Sequence, residues 1–298
     1  MAGRFEMGGV AAAVTVAVIW GLSFVAASVV LATLSPVLLA TVRFVIASAL
    51  FLPVILREMR RGSKPAFSDL KDMASLGLLS ISVYFWLQYT GVKHAGAGVS
   101  SILVVGFIPI LTGVASSLLL GEALSRWKAV GSAAGFVGVA LITLPKVTGV
   151  DLDAGFLFGV GCLLGNAVCW SLYSTLSRRL MQRTGSPLVV TAYVTVFGTL
   201  ALLPMSLSSD WAALRLLSQG QWISVLYLAV VCSGGGYLLW NYALSRLESV
   251  RAAVWLYLEP VAAFMGEALL LGVVPDALTA GGGLLIMAGA VVTYAAKK

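Results

Sequence analysis

GFIPILTGVASSLLLGE (Gly106 to Glu122) reads as the lipid-buried part of a helix, and YLEPVAAFMGEALLLGV (Tyr257 to Val273) repeats its plan. Each carries a proline in its fourth position and an LLLG run that begins nine residues after it. The two lie about 150 residues apart in a chain of 298, the spacing of a unit present twice. Outward from this pair nearly the same offset lays Trp20 on Trp170, Thr41 on Thr191, Pro53 on Pro204 and Tyr89 on Tyr242. It also lays Gly131 on Gly282 and Gly138 on Gly289. The chain therefore divides into residues 1–150 and 151–298, two copies of one unit.

Composition places both copies in a membrane. Apolar residues make up 60% of the chain and charged ones 10%, with a mean hydropathy of +1.00, whereas a soluble domain is about a quarter charged. Crossing a hydrocarbon layer of about 30 Å takes about 20 apolar residues in a helix, which satisfies its own backbone there. The first half offers five such stretches, approximately Ala11 to Leu31, Pro36 to Leu56, Met73 to Val92, Val99 to Leu120 and Trp127 to Leu144. Five more follow, approximately Gly155 to Leu176, Pro187 to Leu207, Trp222 to Leu244, Ala252 to Val274 and Ala277 to Ala296. The expected fold is all-α: a polytopic membrane protein of ten transmembrane helices. An odd number of spans per copy turns the second copy upside down, the inverted five-helix repeat of many secondary carriers.

The net charge of +7 is topological and carries no nucleic-acid implication. Alternate inter-helix segments hold Arg4; Arg57, Arg60, Arg61, Lys64 and Lys71; Arg126 and Lys128; Arg178, Arg179 and Arg183; Arg246 and Arg251; Lys297 and Lys298. The other face has Lys93, Lys146 and Arg215, and Arg43 falls inside a helix. So steep an asymmetry in short loops puts both termini in the cytoplasm. Arg4 is offset by Glu6 and the first apolar run exceeds the usual 7–15 residues of a signal peptide, so the first helix is expected to stay as a span. Cys162, Cys169 and Cys232 lie in apolar helices at no metal-ligand spacing, and no disulfide framework, metal or cofactor is expected.

Three features together resemble a known group: the tryptophan of each copy's first helix, the tyrosine near the end of each third, and the proline followed twelve residues later by Gly-Glu. They are similar to the ten-helix members of the drug/metabolite transporter superfamily over about Gly9 to Ala296. Within it the chain looks like a bacterial metabolite exporter, and most like the aromatic amino acid exporters. One departure is visible, because Glu122 ends the first motif and Val273 stands in its place in the second. The resemblance implies a multi-pass carrier of the bacterial inner membrane. Small four-helix relatives exchange protons through an acid in their first helix, yet neither Ala11 to Leu31 nor Gly155 to Leu176 contains Asp or Glu. That chemistry does not transfer here; a uniporter and coupling through Glu259 both stay open.

A substrate in an inverted-repeat carrier sits near the midplane between the repeats, so polar and aromatic residues at mid-helix depth are the candidates. Trp20 in IWGLSF (Ile19 to Phe24) corresponds to Trp170 in CWSLYS (Cys169 to Ser174), and each indole N–H needs a partner. Ser23, Asn166 and Ser174 add hydrogen-bonding groups beside them. On a 3.6-residue period Tyr84 and Gln88 share a face of the third helix, and Phe85 borders it, as Tyr237 and Asn241 do in its mate. An aromatic beside an amide suits a flat side chain with a polar head; helix packing is the competing reading of the same residues. Gly234, Gly235 and Gly236 weaken that helix locally.

Charges inside the spans cost about 2.5–3.5 kcal/mol at a helix centre on insertion scales, so Arg43, Glu259 and Glu267 call for a reason. Glu259 can bind an amino group, carry a proton or pair with Arg43; pairing or gating is the favoured role. Glu122 and Glu267 are expected nearer helix ends. Pro109 and Pro260, inside the fourth helix of each copy, are candidate symmetric hinges. Gly131, Gly135 and Gly138, with Gly282 and Gly289, have small-residue spacing for close contact within or between protomers, which leaves a homodimer open.

Other classes fare worse. His94 is the single histidine, and HExxH, GxSxG and paired intramembrane acids are missing, so enzymatic chemistry has no constellation to use. A selective channel would show rings of like charge. The expected function is secondary export of small neutral metabolites, aromatic or other neutral amino acids first, with efflux of other small metabolites or drugs as the alternative. Its partners are a small-molecule substrate and the lipid bilayer.

Overall fold

The computed structural model describes residues 2–62, 65–143, 153–271 and 277–296. Among them every regular element is helical. Lys64, Lys146, Gly272, Val273, Lys297 and Lys298 lie outside the described residues, as do the side chains of Arg4 and Glu267.

The first half runs α1 (Ala2–Leu31), α2 (Pro36–Arg60), α3 (Phe67–Gly77), α4 (Tyr84–Leu120) and α5 (Arg126–Thr143). The second runs α6 (Ala154–Thr184), α7 (Pro187–Leu202), α8 (Gln219–Leu226), α9 (Tyr237–Arg246), α10 (Ser249–Ala253), α11 (Leu258–Leu271) and α12 (Ala277–Ala295). Helix starts follow their local sequence. Ser35-Pro36 opens α2 and Ser186-Pro187 opens α7: each serine oxygen accepts the N–H three residues on, and each proline takes the first helical position, where its missing donor costs nothing.

Eight helical stretches among the described residues are long and apolar enough to span a membrane: α1, α2, α6, α7, α12, Phe67–Ala95, Ile102–Leu120 and Gln219–Arg246. The ten-span expectation needs α5 and the α10–α11 segment as the other two. α4 supplies two legs, as the contacts of α6 show. Asn166 donates to the Tyr84 carbonyl, and Gly159 faces His94 and Ala95, so Tyr84 to Ala95 runs antiparallel to α6. Ser171 then donates to the Ile108 carbonyl and Arg178 pairs with Glu122, so the later part runs parallel to it. A straight helix cannot do both. The chain reverses between Ala95 and Ile108, an interval that contains Gly96 and Gly98.

The glycine expectation resolves within one chain. A methyl group on Gly131 would lie 2.5 Å from the Gly289 carbonyl oxygen, and one on Gly138 would lie 2.7 Å from that of Gly282. α5 and α12 therefore pack antiparallel at near backbone contact. Because Gly131 corresponds in sequence to Gly282 and Gly138 to Gly289, the contact is reciprocal, residue i on j′ and j on i′, as a two-fold axis requires.

Both third helices depart from α-geometry at matching places. Leu78–Val83 links α3 to α4 as a π-helix, and Tyr227–Gly236 links α8 to α9 in the same form. Such segments concentrate at functional sites. α-Geometry resumes at Tyr84 and at Tyr237, two expected site residues. The prolines are less symmetric than expected. Pro109 is interior to α4, but Pro260 is the third residue of α11, just after a 3₁₀ segment, Val254–Tyr257. In a first turn a proline forfeits little, so Pro260 marks a helix restart rather than the expected mid-helix hinge.

Candidate functional site

Where the two halves meet, α1, α4, α6 and α9 press their aromatic rings together. Trp20 and Trp170 meet edge to face with centroids 5.1 Å apart, and both touch Tyr237, at 5.9 and 5.6 Å. Tyr84 closes on Trp170 at 5.2 Å. Edge-to-face pairs at these separations contribute beyond their buried area. The four aromatics expected from the repeat are thus assembled in one place. Trp240, Tyr173, Phe44 and Phe85 complete the cluster: Trp240 stands 5.9 Å from Trp20, Tyr173 5.2 Å from Trp170 and Phe44 5.7 Å from Tyr237. The first three were not singled out from sequence. Trp240 lies three residues beyond Tyr237, a spacing that the period-3.6 argument could have included.

The π-segments supply acceptors to these rings. Trp20 Nε1 donates to the Cys232 carbonyl at 3.1 Å, and Tyr237 Oη donates to that of Ser80 at 3.0 Å. Gly236 is required here, because a methyl group on it would lie 2.6 Å from Trp20 Nε1. Trp170 differs from its counterpart: it is 3% exposed and its Nε1 has no hydrogen-bond partner among the described residues.

Several expected polar ligands are already engaged by protein. Ser174 Oγ accepts from Trp240 Nε1 at 3.2 Å. Asn241 Nδ2 bonds Tyr173 Oη at 3.0 Å and Thr191 Oγ1 at 2.8 Å, and Asn166 Nδ2 bonds the Tyr84 carbonyl at 2.7 Å. Ser23 Oγ turns back to the Trp20 carbonyl, 2.6 Å away. These groups hold the aromatic side chains and helices in place. Gln88 is half-buried one turn beyond Tyr84 and makes no hydrogen bond among the described residues.

The expected Arg43–Glu259 ion pair is not formed. Arg43, 7% exposed, donates from Nε to Ser233 Oγ at 2.7 Å, and its guanidinium lies 5.3 and 5.2 Å from the ring centroids of Phe44 and Phe85. α2 aims it at the second π-segment. Glu259 sits on α11, where Gly21 of α1 packs against its backbone, and its carboxylate is within electrostatic reach of the Tyr84 hydroxyl. It makes no hydrogen bond or ion pair among the described residues and is 8% exposed.

Elsewhere in the protein, charges meet opposite charges. Glu122 pairs with Arg178 at 2.7 Å and accepts the Ser249 N–H at 2.9 Å. Lys128, with no side-chain exposure, meets Glu248 at 2.6 Å and the Ala123 carbonyl at 2.7 Å. Arg183 bridges Asp69 and Asp72, and Arg251 lies 3.9 Å from Glu6. Each of these pairs joins the first half of the chain to the second. Their members come from segments that the charge asymmetry placed on one membrane face, which we call the charged end. No group of three or more His, Cys, Asp or Glu side chains that could hold a metal comes together among the described residues.

Comparison with known proteins agrees with this architecture. A solved crystal structure 22% identical in sequence superposes with a TM-score of 0.79 over 95% of both chains, which establishes the fold. An uncharacterized transporter of Archaeoglobus fulgidus is 29% identical over 90% of this chain and 92% of its own. A "probable amino-acid metabolite efflux pump" of Salmonella typhimurium is 29% identical over 93% and 91%, and a "probable terminal-alkyne amino-acid exporter" of Streptantibioticus cattleyicolor is 30% identical over 76% and 73%. The pattern of one family matches the chain twice, at residues 7–144 and again at 157–295. This chain belongs to the EamA-like transporter family of the drug/metabolite transporter superfamily.

Proposed function

We propose that this transporter exports amino acids with aromatic or other neutral side chains across the bacterial inner membrane, by alternating access between two inverted five-helix repeats, residues 1–150 and 151–298. The observation that carries the reading is the aromatic cluster at the junction of the halves, in which Trp20, Trp170, Tyr84 and Tyr237 come from corresponding positions and touch. A substrate with a flat apolar side chain replaces ring contacts with ring contacts when the cluster opens, so little is lost on admitting it. Two relatives named for amino acid export lend the substrate class support. The reciprocal glycine contact of α5 with α12 supports the inverted repeat.

The charged end supplies one gate. With both termini cytoplasmic, it faces the cytoplasm, and the Glu122–Arg178 and Lys128–Glu248 pairs hold the two repeats closed there. Loading from the cytoplasm breaks these links, and release on the far side re-forms them. Pro109 and the two π-segments give the helices around the cluster places to bend. Glu259, next to α1, completes the gating set, with Pro260 fixing where α11 restarts beside it.

Uptake of radiolabelled phenylalanine or tryptophan into liposomes that contain the purified protein tests the function. Saturable uptake without an ion gradient is expected of a facilitative amino acid carrier. Absence of amino acid flux, with or without a proton gradient, removes amino acids as the substrate class and leaves other small metabolites.

A further inference from the structure

Arg43 stands apart among the buried cations of this protein. Lys128 and Arg178 each meet a carboxylate, whereas Arg43 meets none among the described residues. Ser233 occupies its Nε, and Phe44 and Phe85 lie near the guanidinium. The Tyr89 hydroxyl lies within hydrogen-bonding reach of the guanidinium, and Tyr84 and Tyr237 lie farther out in its field. Both neighbours that bond the guanidinium, Ser233 and Tyr89, are neutral hydroxyls, so its charge stays unanswered and its planar fork can still take a carboxylate. An ionisable group kept inside a span without an opposite charge marks a functional site whose counter-charge has to be named.

The neighbourhood says where that partner would lie. Phe85 touches Tyr84 at 5.0 Å and Tyr84 touches Trp170, so Arg43 borders the aromatic cluster. Trp170, in contact with Tyr84, adds a buried donor whose Nε1 makes no hydrogen bond among the described residues. Arg43 belongs to the first half and Ser233 to a π-segment of the second, so a ligand held by Arg43 sits between the moving parts.

Resting on the reading of this chain as an amino acid exporter, we infer that Arg43, positioned by Ser233, receives the carboxylate of the substrate, so that the transporter takes carboxylate-bearing aromatics and discriminates against their amides and amines. Arg43 has no carboxylate partner within the described residues, and the rings beside it suit the remainder of such a molecule.

Competition against labelled phenylalanine in liposomes tests this. 3-Phenylpropionate, which keeps the carboxylate and lacks the amine, is expected to compete; phenylalaninamide and phenethylamine are expected to compete at least about tenfold more weakly. Arg43→Gln should flatten that difference, Arg43→Lys should restore part of it, and Ser233→Ala should weaken carboxylate competition while the charge remains. Equal competition by acid and amide in the unmodified protein overturns the inference and leaves amino acid export standing. Should no phenylalanine move at all, the export reading fails, and thermal stabilisation decides the inference separately. Stabilisation by 3-phenylpropionate and not by the amide, lost in Arg43→Gln, supports it; stabilisation by neither overturns it. If Arg43→Gln does not fold, the acid-against-amide comparison in the unmodified protein still gives the answer.

Discussion

Lys128 at the charged end and Arg43 at the aromatic waist are both buried cations on membrane helices, and they are served in opposite ways. Lys128 has a carboxylate and a carbonyl within 2.7 Å, while Arg43 has only neutral groups around it, the hydroxyls of Ser233 and Tyr89 and the faces of two rings. The same contrast runs through their neighbours: Glu122 is paired and hydrogen-bonded, whereas Glu259 is neither. The acidic and basic residues of the charged end that join the two halves answer one another. On the inference above, Arg43 at the waist is left for the substrate carboxylate.

Breaking the satisfied region should cost stability, and breaking the unsatisfied one should cost function. Lys128→Ala strands Glu248 at a mostly buried position and is expected to destabilise the protein by about 3–5 kcal/mol, read from thermal unfolding in detergent. Arg43→Gln strands no carboxylate and should shift unfolding far less while it abolishes selective flux. Equal destabilisation by the two would erase the contrast. Next in size, Gly289→Val drives a branched side chain toward the Gly131 carbonyl, which a single methyl would already approach to 2.5 Å. A loss of about 1–3 kcal/mol follows from such overpacking, and a neutral result would mean that α5 and α12 are not in close contact.

Smaller effects sharpen the role of the charged end. Glu122→Gln keeps an acceptor for the Ser249 N–H but removes the charge facing Arg178 in a mostly buried ion pair, and is expected to cost less stability than Lys128→Ala. Because the link joins the halves, the variant should also raise thiol labelling of a cysteine placed beside it, at Ser125. Arg183 is 48% exposed, so Arg183→Ala should cost only about 0–1 kcal/mol despite its two aspartates.

Much of this was legible in the chain because it rests on gross apolarity, charge asymmetry and self-similarity. Those signals set the spans, grouped the residues of the charged end and paired Trp20 with Trp170. Rotation of each helix about its own axis was not legible. A span apolar on every side has no polar face to point outward, so nothing showed that α2 turns Arg43 toward Ser233 while Glu259 lies elsewhere. The π-segments were equally hidden, since a change to i→i+5 bonding has no strong residue code; Gly234 to Gly236 signalled only local weakness. Trp240 and Tyr173 are hidden for a related reason: each is one more ring in an apolar helix, and helical spacing alone does not say that it faces the other half.

Substrate protection at the waist tests the central claim most directly. Gln88 is half-buried one turn beyond Tyr84 and free of hydrogen bonds among the described residues, so Gln88→Cys, with Cys162, Cys169 and Cys232 replaced by alanine, places a reporter there at little structural cost. Slow labelling by a maleimide that phenylalanine suppresses, and phenylalaninamide does not, is the predicted result. Labelling indifferent to both ligands would contradict a substrate site between the halves.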